Sequence, residues 1–196
     1  TGAFTIYTGM LWTTLNVINP TSPSQAAGAS KALIDATKRL HRAVHPLAGL
    51  IGVTAISGAY VAGMDAGRAY NTFPLMGGQW IPAEYLDQWE SKGWRNFFEN
   101  TAAVQFDHRI LALSTLASVS AVWLGHRNSV ALHPRTRMLL HALLATTAGQ
   151  VTLGITTLLH HVPVELGSAH QAGALTLFTV VLALMHSLRG PKRVRI

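Results

Sequence analysis

Residues 166–188 read LGSAHQAGALTLFTVVLALMHSL, an apolar run without a single Asp, Glu, Lys or Arg. A helix of about 20 apolar residues spans the hydrocarbon core of a bilayer, so this run predicts a membrane-spanning helix. Three further runs, 44–63, 102–125 and 138–159, have a similar length and are mostly apolar. We therefore predict an all-α, polytopic membrane protein built on a four-helix transmembrane bundle.

These runs also divide the chain. Residues 1–18 are predicted to be the remainder of a preceding transmembrane helix, and 19–43 an inner-side linker. The bundle is predicted at 44–190, with an outer loop at 64–101, and a basic tail follows at 191–196. The chain opens at Thr1 with no Met and no basic, cleavable signal, so we expect a missing upstream portion.

Composition supports a membrane protein and excludes several classes. Only 12% of the 196 residues are charged, against about a quarter in soluble domains. The net charge of +7 is not gathered into a stripe on a soluble fold, so no nucleic-acid partner is expected. The absence of Cys excludes disulfides and thiolate chemistry.

Charge alternates between successive connections. The loop at 64–101 carries most of the acidic residues, whereas basic residues gather in the other connections and the tail. These basic residues are Lys31, Lys38, Arg39, Arg42, Arg127, Arg135, Arg137, Arg189, Lys192, Arg193 and Arg195. The positive-inside rule then predicts five crossings, with the first residue outside and the tail inside. The aromatic outer loop is expected at the membrane interface.

Two of the ten histidines stand at matched positions. His108 lies about two turns into its run and His170 about one turn into the last, and both helices are predicted to run from outside to inside. At about 1.5 Å per residue the two imidazoles fall at nearly the same depth. Such a pair can ligate one planar heme iron from both faces. A lone histidine in a membrane is often only a structural hydrogen-bonding residue, and the shared depth favours ligation.

Polar neighbours surround His108, and small residues surround His170. Gln105, Asp107 and Arg109 form a polar cluster inside a span, which marks a functional site by default. Arg109 is expected to pair with Asp107 or with a heme propionate. Small residues also mediate helix packing, so those around His170 are a weak signal. No catalytic residue is assigned.

The other histidines are not expected to be iron ligands. His160 and His161 end a run on the outer side, where an interfacial role is favoured. The rest lie at or near the basic inner side: His41, His45, His126, His133, His141 and His186. The sequence contains no P-loop, nucleophile elbow or HExxH motif, so hydrolase and nucleotide-driven functions lack support.

Several motifs resemble one known family. Residues 62–77, AGMDAGRAYNTFPLMG, followed by Trp80-Ile81-Pro82, resemble the outer-loop signature of heme A synthases of the mitochondrial and alphaproteobacterial type. The segments NFFEN at 96–100 and QFDHR at 105–109 resemble the beginning of that family's sixth helix. The segment AHQAGAL at 169–175 resembles part of its eighth. The motifs occur in the family's order across essentially the whole chain.

The resemblance implies an oxidoreductase of eight helices in two similar bundles. It oxidises a methyl group of heme O to a formyl group, which gives heme A for cytochrome c oxidase assembly. This chain would be the C-terminal half, holding heme b between His108 and His170. The N-terminal bundle, which is thought to take the substrate heme, is absent from this chain. We therefore expect this half alone to be catalytically incomplete.

The resemblance also implies surroundings and partners. A heme O substrate, a ferredoxin-type electron donor and a heme O synthase are expected, in the mitochondrial inner membrane or a bacterial plasma membrane. Membrane lipid and the missing N-terminal bundle are further expected partners. A homo-oligomer is a further possibility. Contacts to the heme edge or propionates are expected from Gln105, Arg109, Asp65, Tyr70 and Asn71. A purely structural role for the outer loop is an equal alternative.

Two other functions compete. A b-type cytochrome subunit that only transfers electrons predicts the same ligands without a site for substrate heme. A small transporter that relays protons predicts polar residues along several helices and at the midplane. The polar groups gather toward the outer side instead, which favours a heme site.

Overall fold

The computed structural model describes residues 2–19 and 30–189, and within these ranges it is helical with no β-strand. Its five long helices are α1 Gly2–Ile18, α2 Lys31–Gly63, α3 Thr101–His126, α4 Pro134–Leu159 and α5 Val164–Ser187. By length and composition, α2, α4 and α5 can each cross a membrane. α3 has the same length as α4 but carries a polar cluster near its start. The prediction of an all-α polytopic membrane protein is confirmed.

α2 begins at Lys31, whereas the sequence pattern placed the start of this helix at Val44. Ser30 caps the helix, because its Oγ accepts a hydrogen bond from the Leu33 amide at 3.2 Å. The early turns bury Leu40 on one face and expose charged residues on the other, so they form no continuous apolar run. With 33 residues the helix is about 50 Å long, and its first turns extend beyond a hydrocarbon core of about 30 Å.

The bundle of α2 to α5 has two chemically different ends. At one end, which we call the loop end, Asn71 Nδ2 of the long connection donates to the Leu158 carbonyl of α4 at 2.9 Å. At the opposite basic end, the Thr136 hydroxyl of α4 donates to Ser187 of α5 at 3.2 Å. Among the arginines at this end are Arg127, Arg135, Arg137 and Arg189. Successive helices therefore alternate in direction, as the charge pattern predicted.

Some predicted segments lie outside the described residues. These are the basic tail at 191–196, residue 190 at the end of the predicted bundle, residue 1, and residues 20–29 of the predicted linker.

The buried apolar core fills the basic half of the bundle. Toward the loop end its last members are Ile51, Val119, Leu143 and Leu177. Closer to the loop end, α2 and α4 turn Gly58 and Gly154 toward the facing helices. The helices therefore interlock by large apolar side chains at one end and approach one another through small residues at the other.

α1 packs along α5. Phe4 and Phe178 meet edge to face with ring centroids 5.5 Å apart. Nearer the basic end, the Trp12 ring lies 5.3 Å from that of His186, which is buried. His186 is therefore a packing residue between two helices.

The connection between α2 and α3 is folded onto the start of α3. Asn100 Oδ1 caps that helix by accepting from the Ala102 amide at 2.9 Å, and its Nδ2 donates to the Glu84 carbonyl at 2.7 Å. Asn96 Nδ2 donates to the Tyr85 carbonyl at 2.8 Å. Both asparagines are buried. Their hydrogen bonds hold the loop over the end of the bundle where the histidines stand.

Candidate functional site

His108 lies on the inner face of α3, against α2. Its Nδ1 is 2.8 Å from Ser57 Oγ. A Cβ added at Gly58 would stand 3.1 Å from the His108 Cε1 atom, which is tighter than ordinary packing. The ring is therefore bordered by the hydroxyl of Ser57 and by the bare backbone of Gly58.

His170 lies on α5 against α4 in a similar arrangement. A Cβ added at Gly154 would stand 2.7 Å from its Cε1 atom, so only glycine leaves room for the ring. Gln150 Nε2 donates to the His170 carbonyl at 2.8 Å, which ties the backbone of α5 to α4 at this point. The His170 Nδ1 atom is buried, and no described residue offers it a hydrogen-bond partner.

The two histidines stand at corresponding positions. His108 follows the start of α3 at Thr101 by seven residues, and His170 follows the start of α5 at Val164 by six. Along two helices that run in the same direction, one residue corresponds to about 1.5 Å of rise.

The polar residues beside His108 fasten the loop. Gln105 Nε2 donates to the carbonyls of Ala66 at 2.9 Å and Tyr70 at 3.1 Å. The Arg109 guanidinium donates to the carbonyls of Thr72 at 2.9 Å and Tyr70 at 3.0 Å. Among the described residues Arg109 forms no ion pair with Asp107, contrary to one expectation from the sequence. Its two terminal nitrogens bond to the loop carbonyls instead, and its buried Nε has no partner there.

Two tyrosines of the loop donate to carboxylates. The Tyr85 phenol donates to Asp107 Oδ1 at 2.9 Å, and the Tyr70 phenol donates to Glu84. Burial, followed by the bond to Asp107, raises the pKa of Tyr85 to about 12. The bond to Glu84 is the first cause that raises the pKa of Tyr70 to about 12, and it holds the pKa of Glu84 below its usual value.

Asp65 and Asn71 occupy different surroundings. Asp65 pairs with Arg68 at 3.6 Å, and both side chains are largely exposed. Asn71 Nδ2 donates hydrogen bonds to the carbonyls of Gly67 at 3.1 Å and Leu158 at 2.9 Å. The loop residues singled out in the sequence therefore lie at the same end as the two histidines, and Asn71 in particular locks the loop to α4.

Several of the remaining histidines have hydrogen-bond partners of their own. His45 Nδ1 bonds to the His41 carbonyl at 2.9 Å, and His160 Nδ1 to the Thr156 carbonyl at 2.8 Å. His141 Nδ1 accepts a hydrogen bond from the Trp123 indole at 2.8 Å. Within residues 2–19 and 30–189, no group of three or more His, Asp or Glu side chains converges on one point. The described part of the chain thus offers a pair of imidazoles and no larger cluster of metal-ligating side chains.

The residues around the pair fit two axial ligands of a heme. The hydrogen bonds of the described residues leave Nε2 of both rings without a partner, and His170 Nδ1 is an orphaned polar atom. Glycines face both rings, and the large apolar core ends below this level. Imidazole nitrogens are common axial ligands of heme iron.

Four supporting residues were missed in the sequence. Ser57 and Gly58 looked like ordinary members of an apolar run, and so did Gly154. Gln150 gave a usable signal, because an amide inside a transmembrane run needs a partner and marks a candidate site. The glycines gave none, since their role depends on which helix faces them.

Comparisons with known proteins agree on one family. The family model COX15-CtaA, described as cytochrome oxidase assembly protein, matches residues 1–182. The chain is 49% identical over 191 residues to Heme A synthase COX15 of Arabidopsis thaliana, covering 97% of this chain and 40% of that protein. It is 43% identical over 189 residues to Heme A synthase of Nitrosospira multiformis, covering 95% and 50%.

The human Heme A synthase COX15 is 42% identical over 187 residues, which cover 95% of this chain and 43% of that protein. The chain thus spans half or less of the length of these relatives. No solved structure matches it. Because the family model covers most of the sequence, the chain belongs to the COX15-CtaA family of cytochrome oxidase assembly proteins.

Proposed function

We propose that this chain is the heme-binding part of a heme A synthase and holds heme b through Nε2 of His108 and Nε2 of His170. One observation carries the proposal: two imidazoles stand at corresponding positions on α3 and α5, each against a glycine of a neighbouring helix, and no described residue bonds to either Nε2 atom. A heme iron held from two sides needs one free nitrogen from each ring.

The ligands define what the site can do. When bound, the heme supplies a one-electron redox couple. His108 and His170 would together hold the iron, and two protein ligands would leave it no free coordination site for oxygen or substrate. His108 and His170 therefore act as fixed ligands of an electron relay, and the oxidation of substrate belongs elsewhere in the complete protein.

The names of the relatives support the larger function. They are called heme A synthases, and the complete protein is proposed to oxidise a methyl group of heme O to a formyl group. A heme O synthase that supplies the substrate and a ferredoxin-type electron donor are the proposed partners. The chain is a multi-pass membrane protein of the mitochondrial inner membrane or a bacterial plasma membrane.

The test is the absorption spectrum of the purified chain loaded with heme b. The unchanged chain is expected to give a low-spin spectrum. His108→Ala and His170→Ala are each expected to lose it, because one axial ligand is removed. His160→Ala is the matched control, since His160 lies at the same end but is exposed and bonds to its own helix. A low-spin spectrum retained in both ligand variants would refute the assignment.

A further inference from the structure

Ser57 connects His108 to the backbone of α2 through two hydrogen bonds. Its Oγ lies 2.8 Å from the Thr54 carbonyl and 2.8 Å from His108 Nδ1. A carbonyl oxygen only accepts hydrogen bonds, so the single hydroxyl proton of Ser57 is donated to Thr54. Ser57 Oγ therefore faces His108 with a lone pair, which can only accept a hydrogen bond.

This assignment of protons decides the tautomer of His108. Because Ser57 has no second proton to give, the short contact requires Nδ1 of His108 to be the donor. A neutral imidazole that carries its proton on Nδ1 has a free lone pair on Nε2, the atom that ligates iron in the proposed site.

We propose that Ser57 is a positioning residue, which fixes the tautomer and the ring orientation of His108 and thereby tunes the reduction potential of the bound heme. The proposal rests on the proposed function, because it takes His108 as a ligand. The Ser57 hydroxyl, polarised by its own bond to Thr54, pulls on the Nδ1 proton and makes Nε2 a stronger donor to iron. A stronger donor stabilises ferric iron over ferrous iron.

The two ligands are unequal in this respect. Among the described residues His170 Nδ1 has no hydrogen-bond partner, and the ring is positioned by Gly154 and by the hydrogen bond from Gln150 to the His170 carbonyl. In the described part of the chain, a side chain that controls donor strength is therefore found only beside His108.

The test compares three variants loaded with heme b, with the reduction potential and the EPR g values of the ferric protein as readouts. Ser57→Ala removes the acceptor, and Ser57→Thr keeps a hydroxyl that can still bond to a carbonyl one turn back in the helix. Ser114→Ala is the matched control, because Ser114 is on the same helix as His108 but exposed. Helical content by circular dichroism checks folding of each variant.

We expect Ser57→Ala to raise the potential and change the largest g value, while Ser57→Thr and Ser114→Ala stay close to the unchanged chain. For a one-electron couple, each tenfold loss of preference for ferric iron raises the potential by about 59 mV. Loss of heme from Ser57→Ala with retention in Ser57→Thr would equally support the proposal, because the hydroxyl is what differs.

Three results would overturn it: Ser57→Ala with unchanged potential and g values, Ser57→Thr as altered as Ser57→Ala, or Ser114→Ala altered to the same extent. Failure of the ligand assignment looks different. In that case His108→Ala keeps the low-spin spectrum, whereas failure of the Ser57 proposal alone leaves His108→Ala without it.

Discussion

At the scale of single residues, each candidate ligand is paired with a glycine on the neighbouring helix. Gly58 faces His108 across α2 and α3, and Gly154 faces His170 across α4 and α5. An imidazole needs room beside a helix backbone if its Nε2 is to point into the bundle. Glycine supplies that room at the cost of lower helix propensity, about 1 kcal/mol relative to alanine.

The closest of these approaches gives a sharp prediction. In Gly154→Ala the new Cβ would stand 2.7 Å from the His170 ring, so the ring must move away. We expect the affinity for heme b to fall on the order of tenfold or more, the size of effect seen when the support of a metal ligand is lost. The measurement is heme titration of the purified chain, followed by absorption.

The control for this variant lies on the same helix. Gly149→Ala introduces the same methyl group where, apart from its chain neighbours and the backbone of its own helix, no described atom lies within 4 Å. It is expected to leave heme affinity unchanged, and alanine in place of glycine favours the helix in both variants. Equal heme affinity in Gly154→Ala and the unchanged chain would contradict the proposed position of His170.

At the scale of elements, the loop between α2 and α3 is held by side chains of α3. Gln105 and Arg109 bind its backbone carbonyls, and Asn100 both caps α3 and binds the Glu84 carbonyl. Gln105 and Arg109, which flank His108 in the sequence, therefore serve mainly to position the loop. His108 and the side chains that hold the loop belong to the same part of α3. A substitution that displaces the loop is therefore expected to displace His108 as well.

The two roles of Asn100 can be separated. Asn100→Asp keeps an oxygen for the helix cap but loses the donor to Glu84, whereas Asn100→Ala loses both and is expected to cost about 0.5–2 kcal/mol. Hydrogen exchange should show faster exchange at 84–100 in both variants. Faster exchange in the first turn of α3 is expected only in Asn100→Ala. Unchanged loop exchange in Asn100→Asp would show that the loop does not depend on this tie.

Two tyrosines of this loop, Tyr70 and Tyr85, determine how the protein is expected to respond to alkaline pH. The pKa values of Tyr70 and Tyr85 are each raised to about 12, whereas an unperturbed tyrosine ionises near about 10. A folded-state pKa above the unfolded value stabilises the fold below about pH 10, and this contribution disappears as the pH rises through about 12.

Tyrosinate absorbance measures this directly. A fraction of the phenols is expected to ionise only as the pH approaches about 12, and Tyr70→Phe and Tyr85→Phe should each remove part of that late fraction. Ionisation of all phenols that is complete near pH 10 would contradict the hydrogen bonds to Glu84 and Asp107.

At the scale of the whole molecule, the sequence predicted what depends on composition and periodicity. Apolar runs gave α3, α4 and α5 to within a few residues, and alternating charge predicted the two ends of the bundle. The sequence pattern did not predict that α2 begins at Lys31. In its first turns only one side of the helix is apolar and buried, as at Leu40, and the charged residues on the other side interrupt the apolar run.

The site was only partly predictable for a different reason. His108 and His170 are conspicuous because polar residues are rare in spans, and their shared depth follows from helix geometry. The roles of Ser57 and Gly154 depend on which faces of α2 and α4 meet the histidines, a property of packing between distant segments. The expected pair of Arg109 with Asp107 does not form, because the folded loop brings backbone carbonyls to the guanidinium; the contact with a heme propionate stays a prediction.

The central claim, that His108 and His170 close on one iron from opposite sides, is tested most directly by replacing each imidazole with one free in solution. His108→Gly and His170→Gly, loaded with heme b, should each lose the low-spin spectrum and regain it when imidazole is added. Both variants remaining low-spin without imidazole would contradict the claim.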